Sequence, residues 1–211
     1  MKAWRWNCTT SMKMDSNDKR IILASGSPRR KELLAGLDID FEVDTDNNFK
    51  EDYSIDVPHR QIPELMSKGK SSGFHRPLEQ GEILITADTI VLCDDEVLGK
   101  PKGRDDAEKA EDAGRMLRLL SGKGHEVITA VTIRDCNSDL TFSDTAIVHF
   151  KDLSEEEIRY YIGKYRPFDK AGAYGIQEWI GYTGISAIEG SFYTVMGLPV
   201  HLVYQQLEKF I

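Results

Sequence analysis

The sequence predicts an α/β fold built on a long mixed β-sheet with flanking helices. Strand and helix patterns alternate from residue 21 to the end of the chain. Two predicted hairpins interrupt this alternation, one turning at Asp94-Asp95 and the other at residues 137–139. Hairpins join antiparallel strands, whereas strand–helix–strand units join parallel ones. Their combination therefore indicates a mixed sheet and not a purely parallel one.

The first predicted strand and helix form the most informative local pattern. The apolar run 21–24 predicts a buried strand, and a helix is expected over residues 28–35, with Ser27 as its N-cap and Pro28 at its first position. A helix start leaves backbone N–H groups unpaired, and Arg29 and Arg30 add positive charge there. This pattern is typical of an anion site, although a solvated basic helix end would give the same string.

Hydrophobic periodicity and capping residues predict the remaining elements. Further strands are expected at residues 41–43, at 83–93, at 125–134 and at 140–150, and residues 86–89 interrupt the apolar run of the second of these. Further helices are expected at residues 62–74, from the cap Asp105 to Leu120, after the capping box Ser154 to Glu157, and at 198–210 with Leu202, Val203 and Leu207 buried.

Two segments show no clear period. Residues 44–56 are polar and acidic, which predicts an active loop or a disordered one. Residues 1–19 lack the apolar core of a secretory signal and are expected to form a disordered extension. Residues 20–211 are then a single domain, a length that suits one core.

Composition excludes several classes of partner. The net charge of −8 disfavours broad adhesion to nucleic acid or to an anionic membrane, since both need an extended positive field. No apolar run approaches the roughly 20 residues that span a bilayer. The three cysteines form no CxxC pair, so neither a zinc site nor a disulfide framework is indicated and a cytoplasmic location is expected.

Asp88 is the acid that the apolar pattern singles out. It lies within a run of aliphatic residues, where a carboxylate is costly to bury without a cation or proton. Lys100 follows twelve residues later, beyond the predicted hairpin, which would return it toward Asp88. The alternative is that Asp88 only satisfies neighbouring backbone groups at a strand irregularity.

Several short strings, taken together, resemble one family. They are LASGSPRR (23–30), ADTIV (87–91), GKP (99–101), SGKGHEV (121–127), DKAGAYGIQ (169–177) and VMGLP (195–199). In this order and spacing they resemble the Maf family of nucleoside triphosphate pyrophosphatases, over about residue 20 to the C-terminus. The resemblance implies a two-lobed cleft, like that of the ITPase-type enzymes, and hydrolysis of a nucleoside triphosphate to the monophosphate and pyrophosphate.

The resemblance also implies roles for individual residues. Asp88 matches the catalytic acid of the family, and counting back without gaps places Glu51 and Lys70 on its acidic loop residue and helix lysine. Lys100 matches a further functional lysine. Glu51 and Asp88 would share a Mg²⁺ or Mn²⁺ ion, with phosphate oxygens and water completing its shell.

Substrate contacts follow from the same comparison. Ser25, Ser27 and Arg30 would bind phosphate with the first helical turn. Arg29, Thr89 and Gln177 match the specificity positions of the dTTP/UTP branch, whose substrates here would be dTTP and UTP, with CTP and modified pyrimidine nucleotides as further candidates. A Gln offers both a donor and an acceptor to an edge of uracil or thymine. The alternative is that Gln177 braces its loop.

The sequence departs from the family pattern in a few places. Gly69 replaces a common Glu before the helix lysine, Thr86 replaces a common Gly before the ADT string, and residues 46–50 replace an acid-rich, Pro-containing loop. These changes affect the expected metal affinity and helix rigidity, but not the reaction class.

Other functions remain open at this stage. The chain could act as a nucleotide-sensing or protein-binding regulator of septum formation and cell division, and its Tyr- and Trp-bearing C-terminal third is compatible with a homodimer. His125 is expected to hydrogen-bond to backbone and not to ligate metal, and the other histidines show no ligand spacing.

Overall fold

A seven-stranded mixed sheet is the centre of the computed structural model, which describes residues 19–50 and 56–211. The strands are β1 (Arg20–Leu23), β2 (Phe41–Val43), β3 (Glu82–Cys93), β4 (Glu96–Leu98), β5 (Gly124–Arg134), β6 (Asp139–Phe150) and β7 (Ile185–Glu189). The helices are α1 (Pro28–Ala35), α2 (Ile62–Ser72), α3 (Asp106–Leu120), α4 (Glu155–Tyr165), α5 (Trp179–Gly184), α6 (Phe192–Met196) and α7 (Val200–Leu207).

The strand order is β2-β1-β3-β5-β6-β7, with β4 also paired to β3. β1 runs parallel to β2 and β3, and the other pairs are antiparallel, which confirms the predicted mixed sheet. At the turn from β3 to β4, Asp94 and Asp95 have φ angles of 48° and 64°. Two consecutive left-handed residues suit a two-residue hairpin turn, because their twist matches that of the strands.

The long strands β3 and β5 are buried on both faces. On one face, which we call the broad face, Leu23, Val91 and Val127 belong to the main core. On the other face, called here the α2 face, Ile90 and Ile128 pack against Ile62 and Met66 of α2. Neighbouring strand residues point to opposite faces, so Asp88 lies on the α2 face and Thr89 on the broad face.

One edge of β3 is left open in the middle. β1 pairs with residues 82–85 of β3, and β4 pairs with residues 91–93. Residues 86–90 therefore have no strand partner on that side in the described part of the chain, while β5 continues along the other side. This opening in the sheet lets side chains from both faces reach a common space.

Some local predictions are wrong. Leu202 is only partly buried on α7, which spans Val200–Leu207. Ser27 precedes α1 in an extended conformation, but its side chain makes no capping bond. α5, β7 and α6, which lie between residues 179 and 196, were not predicted.

Part of the chain lies outside the described residues. Apart from Lys19, the predicted N-terminal extension lies outside the described residues, and so does part of the polar loop. In residues 19–50 and 56–211, every helix falls short of the length or hydrophobicity required to cross a bilayer. Cys93 and Cys136 are free thiols.

Candidate active site

A cleft of about 1250 Å³ opens at the unpaired stretch of β3. One wall comes from α2 and the loop before it, and the opposite wall comes from the start of α1, the segment around residue 170 and the end of α6. The cleft brings together most of the residues that the sequence singled out: Ser25, Ser27, Arg29, Arg30, Lys70, Asp88, Thr89 and Lys100.

An acid–lysine pair lies on the α2 side of this cleft. Lys70 Nζ donates to Asp88 Oδ1 at 2.6 Å, and the two side chains are 20% and 17% exposed. Partial burial strengthens such a charge-assisted bond relative to one in water. The Asp88 carboxylate therefore has the cation that its apolar sequence surroundings require.

The position of Lys70 is fixed one helical turn earlier. Ser67 is buried and donates its hydroxyl to the carbonyl of Thr86 at 3.2 Å, while the Thr86 hydroxyl donates to the carbonyl of Ser67 at 2.8 Å. This reciprocal pair attaches α2 to β3 two residues before Asp88. Thr86, a departure from the family pattern, thus has a structural explanation.

Gly69, the other departure on α2, also has one. A Cβ at this position would lie 2.3 Å from the ring of Phe49, so no larger residue fits while Phe49 packs there. The Asn47 amide donates to the carbonyl of Lys70 at 2.6 Å and holds the same loop against the helix. Residues 47–49 are therefore fixed beside Lys70. Glu51 itself lies outside the described residues.

Arg30 joins three segments at the opposite side of the opening. Its guanidinium donates to the carbonyls of Gly197 and Ala87, at 2.8 and 2.9 Å, and to the Thr89 hydroxyl at 3.0 Å. The Ser25 hydroxyl accepts a longer bond from it at 3.4 Å. Arg30 thus ties α1, β3 and the end of α6 together, while its positive charge stays on the cleft wall.

Arg29 begins a second ionic chain on the same wall. It donates to Asp169 at 2.9 Å, and the buried Lys170 bonds to both Asp169 and Glu178, at 2.8 and 3.0 Å. Burial opposes ionisation of Asp169, but hydrogen bonds from Lys170 and Arg29 outweigh it and lower the pKa of this carboxyl. The Asp169 carboxyl therefore stays ionised at neutral pH.

The remaining predicted residues differ in their placement. Lys100 follows β4 and lines the cleft with an exposed side chain. Gln177 is not among the residues that line it, and its Oε1 atom is buried with no hydrogen-bond partner in the described part of the chain. The structure therefore does not bring Gln177 to the cleft wall beside Arg29 and Thr89.

His125 does not bond to backbone as predicted. Its Nε2 atom lies 2.8 Å from the hydroxyl of Tyr174, and its Nδ1 atom is buried without a partner among the described residues. Burial, reinforced by the nearby His149, lowers the pKa of His125 to about 4. The imidazole is consequently neutral at pH 7 and acts as a packing partner of Tyr174, whose ring borders the cleft.

Sequence reasoning gave no role to two groups that the fold brings to this site. Lys170 lies within the DKAGAYGIQ string, and its burial beside two carboxylates follows only from the fold. Thr129 pairs directly with Thr89 across the sheet, but no local pattern links residues that are forty positions apart. Strand register was the one signal that could have found it.

Comparison with known proteins agrees with the resemblance. The family model described as Maf-like protein matches residues 20–210. The dTTP/UTP pyrophosphatase of Bacteroides thetaiotaomicron is 51% identical over 190 residues, covering 90% of this chain and 95% of that protein. The dTTP/UTP pyrophosphatase of Porphyromonas gingivalis is 48% identical over 193 residues, covering 90% and 94%.

One solved structure gives a looser likeness. A HAM1 protein from Coxiella burnetii aligns with 63% of this chain and 73% of its own, at 14% identity and a TM-score of 0.39. An overlap this partial carries no argument about function. The family match is different in kind, because it extends over nearly the whole chain and includes both walls of the cleft. The chain therefore belongs to the Maf-like protein family.

Proposed function

We propose that this protein hydrolyses nucleoside triphosphates, with dTTP and UTP as the main substrates, to the monophosphate and pyrophosphate. The names of the two bacterial relatives support this reaction. The observation that carries it is the part-buried Asp88–Lys70 pair on the wall of a cleft that also holds Arg29, Arg30 and Lys100. A carboxylate among several cations suits a substrate that carries several negative charges.

The proposed chemistry assigns a distinct task to each charge. Water adds to the α-phosphorus, the bond from that phosphorus to the bridging oxygen of pyrophosphate breaks, and negative charge accumulates on the leaving group. Asp88 accepts the proton of the attacking water, since a positioned carboxylate can act as a general base. Lys70 orients that carboxylate at 2.6 Å. Lys100 and Arg30 offset the charge of the phosphates.

The donor set suits a divalent metal. Mg²⁺ is typically held by one or two carboxylates together with substrate phosphates and water, so it needs no large cluster of protein ligands. Asp88 lines the cleft, where substrate phosphates would also lie. The described residues contain no group of three or more His, Cys, Asp or Glu placed to hold an ion. Asp88, with Glu51 from the adjoining loop, would hold Mg²⁺ or Mn²⁺. When bound, the ion supplies positive charge to the phosphates.

The other predicted contacts belong to the same proposal. Ser25, Ser27 and the first turn of α1 would hold phosphate oxygens, and Arg29 and Thr89 would select the base. A role for Gln177 in this choice remains a prediction, since Gln177 does not line the cleft. A cytoplasmic location and a homodimer remain predictions.

Release of pyrophosphate from dTTP, UTP and CTP, with Mg²⁺ or Mn²⁺, tests the proposal. We expect wild-type protein to be active and Asp88→Asn to lose at least about a hundredfold in kcat/KM, because the variant keeps the shape and loses the base. Asp139→Asn is the matched control, since Asp139 lies at the surface end of β6 beside Lys68. Addition of a chelator should abolish wild-type activity, and excess Mg²⁺ should restore it.

The outcomes separate the two functional classes. Equal activity of wild type and Asp88→Asn would exclude the role of Asp88. No release of pyrophosphate from any triphosphate, by a folded wild-type protein, would contradict the proposal and favour a nucleotide-sensing or protein-binding regulator of cell division.

A further inference from the structure

Two threonines face each other across β3 and β5 at the edge of the cleft. Thr89 pairs with Thr129 in the strand register, and their hydroxyl oxygens lie 2.9 Å apart. Thr129 is fully buried, whereas Thr89 is partly exposed and lines the cleft. Behind them, the Thr129 hydroxyl lies 2.8 Å from the backbone carbonyl of Thr194 at α6.

The direction of these hydrogen bonds is determined by chemistry. The carbonyl of Thr194 can only accept, and two oxygen atoms 2.8 Å apart without a hydrogen between them would repel each other. Thr129 therefore donates its single hydroxyl proton to Thr194. Its oxygen is then available only as an acceptor, so the proton between Thr89 and Thr129 comes from Thr89.

The same reasoning defines what Thr89 offers to the cleft. Its only hydroxyl proton points inward to Thr129, and one lone pair accepts from the Arg30 guanidinium at 3.0 Å, since that group can only donate. A hydroxyl oxygen has two lone pairs, so one remains. With these hydrogen bonds in place, Thr89 Oγ1 can therefore accept a hydrogen bond from a ligand but cannot donate one.

Gly197 lies beside the Thr89 hydroxyl at the cleft. The residue has a φ of +108°, a conformation that favours glycine, and a Cβ there would lie 3.4 Å from Thr89 Oγ1 and 3.7 Å from Arg30 Nε. The carbonyl of Gly197 also accepts from Arg30. A side chain at this position would be in ordinary contact with the Thr89 hydroxyl and with Arg30, and its cost would come from the backbone conformation.

We propose that Thr129 is a positioning residue for base selection, because it fixes the Thr89 hydroxyl as an acceptor that fits the N3–H of uracil or thymine. Cytosine carries a lone pair at N3 in place of this hydrogen, so it would place two acceptors against each other. This inference rests on the proposed function. A site built around a specific hydrogen bond discriminates strongly against an analogue that leaves its partner unpaired.

The main test is the ratio of kcat/KM for UTP to that for CTP. In Thr129→Val the Thr89 hydroxyl loses its internal acceptor and is free to turn and donate to cytosine, so we expect the ratio to fall about tenfold. Thr129→Ser keeps the hydroxyl and should restore the ratio to within about twofold of wild type. Thr132→Val is the matched control on the same strand, because Thr132 lies on the opposite face of the sheet.

A second measurement on wild-type protein does not depend on how well a variant folds. UTP methylated at N3 lacks the hydrogen that Thr89 would accept, whereas UTP methylated at C5 keeps it. We expect the N3-methyl compound to be hydrolysed at least about tenfold less efficiently than the C5-methyl compound. Equal rates for the two compounds would overturn the inference.

The remaining outcomes distinguish this inference from the proposed function. An active, folded Thr129→Val protein with an unchanged ratio, or with equal losses on all bases, would reduce Thr129 to a structural role. A wild-type protein that releases no pyrophosphate from any triphosphate would overturn the proposed function and this inference with it.

Discussion

Each face of the central sheet carries a chain of hydrogen-bonded hydroxyl groups that ends on a backbone carbonyl. The two chains differ in where they begin. On the α2 face, Thr141 donates to Thr132, Thr132 to Ser67, and Ser67 to the carbonyl of Thr86, a direction fixed by that final acceptor. On the broad face, the chain from Thr89 through Thr129 also ends on a carbonyl. Its first member, however, lines the cleft.

This difference shows how one residue type serves two purposes. The last hydroxyl of the chain on the α2 face is that of Ser67, which anchors the helix that carries Lys70, so the chain holds the Asp88–Lys70 pair in place. The chain on the broad face begins at Thr89, which lines the cleft and keeps one lone pair beyond its bonds to Arg30 and Thr129. We therefore expect changes on the α2 face to alter turnover or stability for all bases alike, and changes on the broad face to alter the choice of base.

The largest effect should come from Lys70→Met on the α2 face. Loss of the charge beside Asp88 should reduce kcat/KM by about 10²–10³-fold, as removal of one group that stabilises a transition state typically does. The ratio between UTP and CTP should not change. Lys68→Met is the control, because Lys68 is 61% exposed on the same helix. A changed ratio of UTP to CTP activity in Lys70→Met would contradict the expectation that changes on the α2 face affect all bases alike.

On the broad face, His125 should make stability depend on pH. Its pKa is about 4 in the folded protein, below the ordinary value of 6.5, so the unfolded state binds the proton more readily. Stability should therefore be fully present above pH 6.5 and fall by about 3 kcal/mol as the pH drops toward 4. Urea denaturation at a series of pH values measures this loss.

A variant separates His125 from the other titrating groups. His125→Gln should flatten the curve between pH 6.5 and 4, whereas His59→Gln, a change at a more exposed histidine, should leave it steep. On the α2 face, hydrogen bonds from Arg76 lower the pKa of Glu82 to about 2, so its contribution is lost only as the pH falls from 4.5 to 2. If the dependence of stability on pH is unchanged in His125→Gln, His125 does not cause the loss of stability between pH 6.5 and 4.

Thr132→Val should cost stability without changing the choice of base. The valine removes an acceptor for Thr141 and a donor for Ser67, and a buried hydroxyl without its partner costs about 1–3 kcal/mol. We expect the free energy of unfolding to fall by about 2 kcal/mol in chemical denaturation. A shift in the UTP to CTP ratio would show that the two chains are coupled through β5.

The smallest effects are expected at Arg29 and Gln177. Arg29→Ala and Gln177→Ala should change selectivity among bases by about three- to tenfold, and turnover of the best substrate by less. Lys31→Ala, on the same helix as Arg29, is the control, since it does not line the cleft. Equal losses of activity on every base would indicate that Arg29 binds phosphate and that Gln177 supports its loop.

Much of the fold could be predicted because its signals are local. α1 spans the predicted residues 28–35, and the capping box at Ser154 and Glu157 is present with both of its bonds. β7 was missed because its short sequence has no apolar alternation and is defined by pairing with the distant β6. Leu202 was expected to be buried from helical spacing alone, whereas its exposure depends on what packs against α7.

The site was predictable in its members more than in its geometry. The ADTIV string contained Asp88 and Thr89, and counting back from it gave Lys70, but the division of these residues between two faces follows from the structure of β3 and its pairing with β5. Whether the Thr89 hydroxyl donates or accepts toward the cleft depends on Thr129 and on a carbonyl of α6, neither of which is close to it in sequence. Similarly, the fit between Gly69 and Phe49 requires a loop and a helix to meet.

The open stretch of β3 has a consequence for how this cleft can change over time. Between the segments paired to β1 and β4, part of the cleft border consists of main-chain groups, as the bond from Arg30 to the carbonyl of Ala87 illustrates. Point mutations alter side chains and leave peptide groups in place. A lineage could thus acquire a new base preference through the surrounding side chains while it inherits the same peptide framework intact.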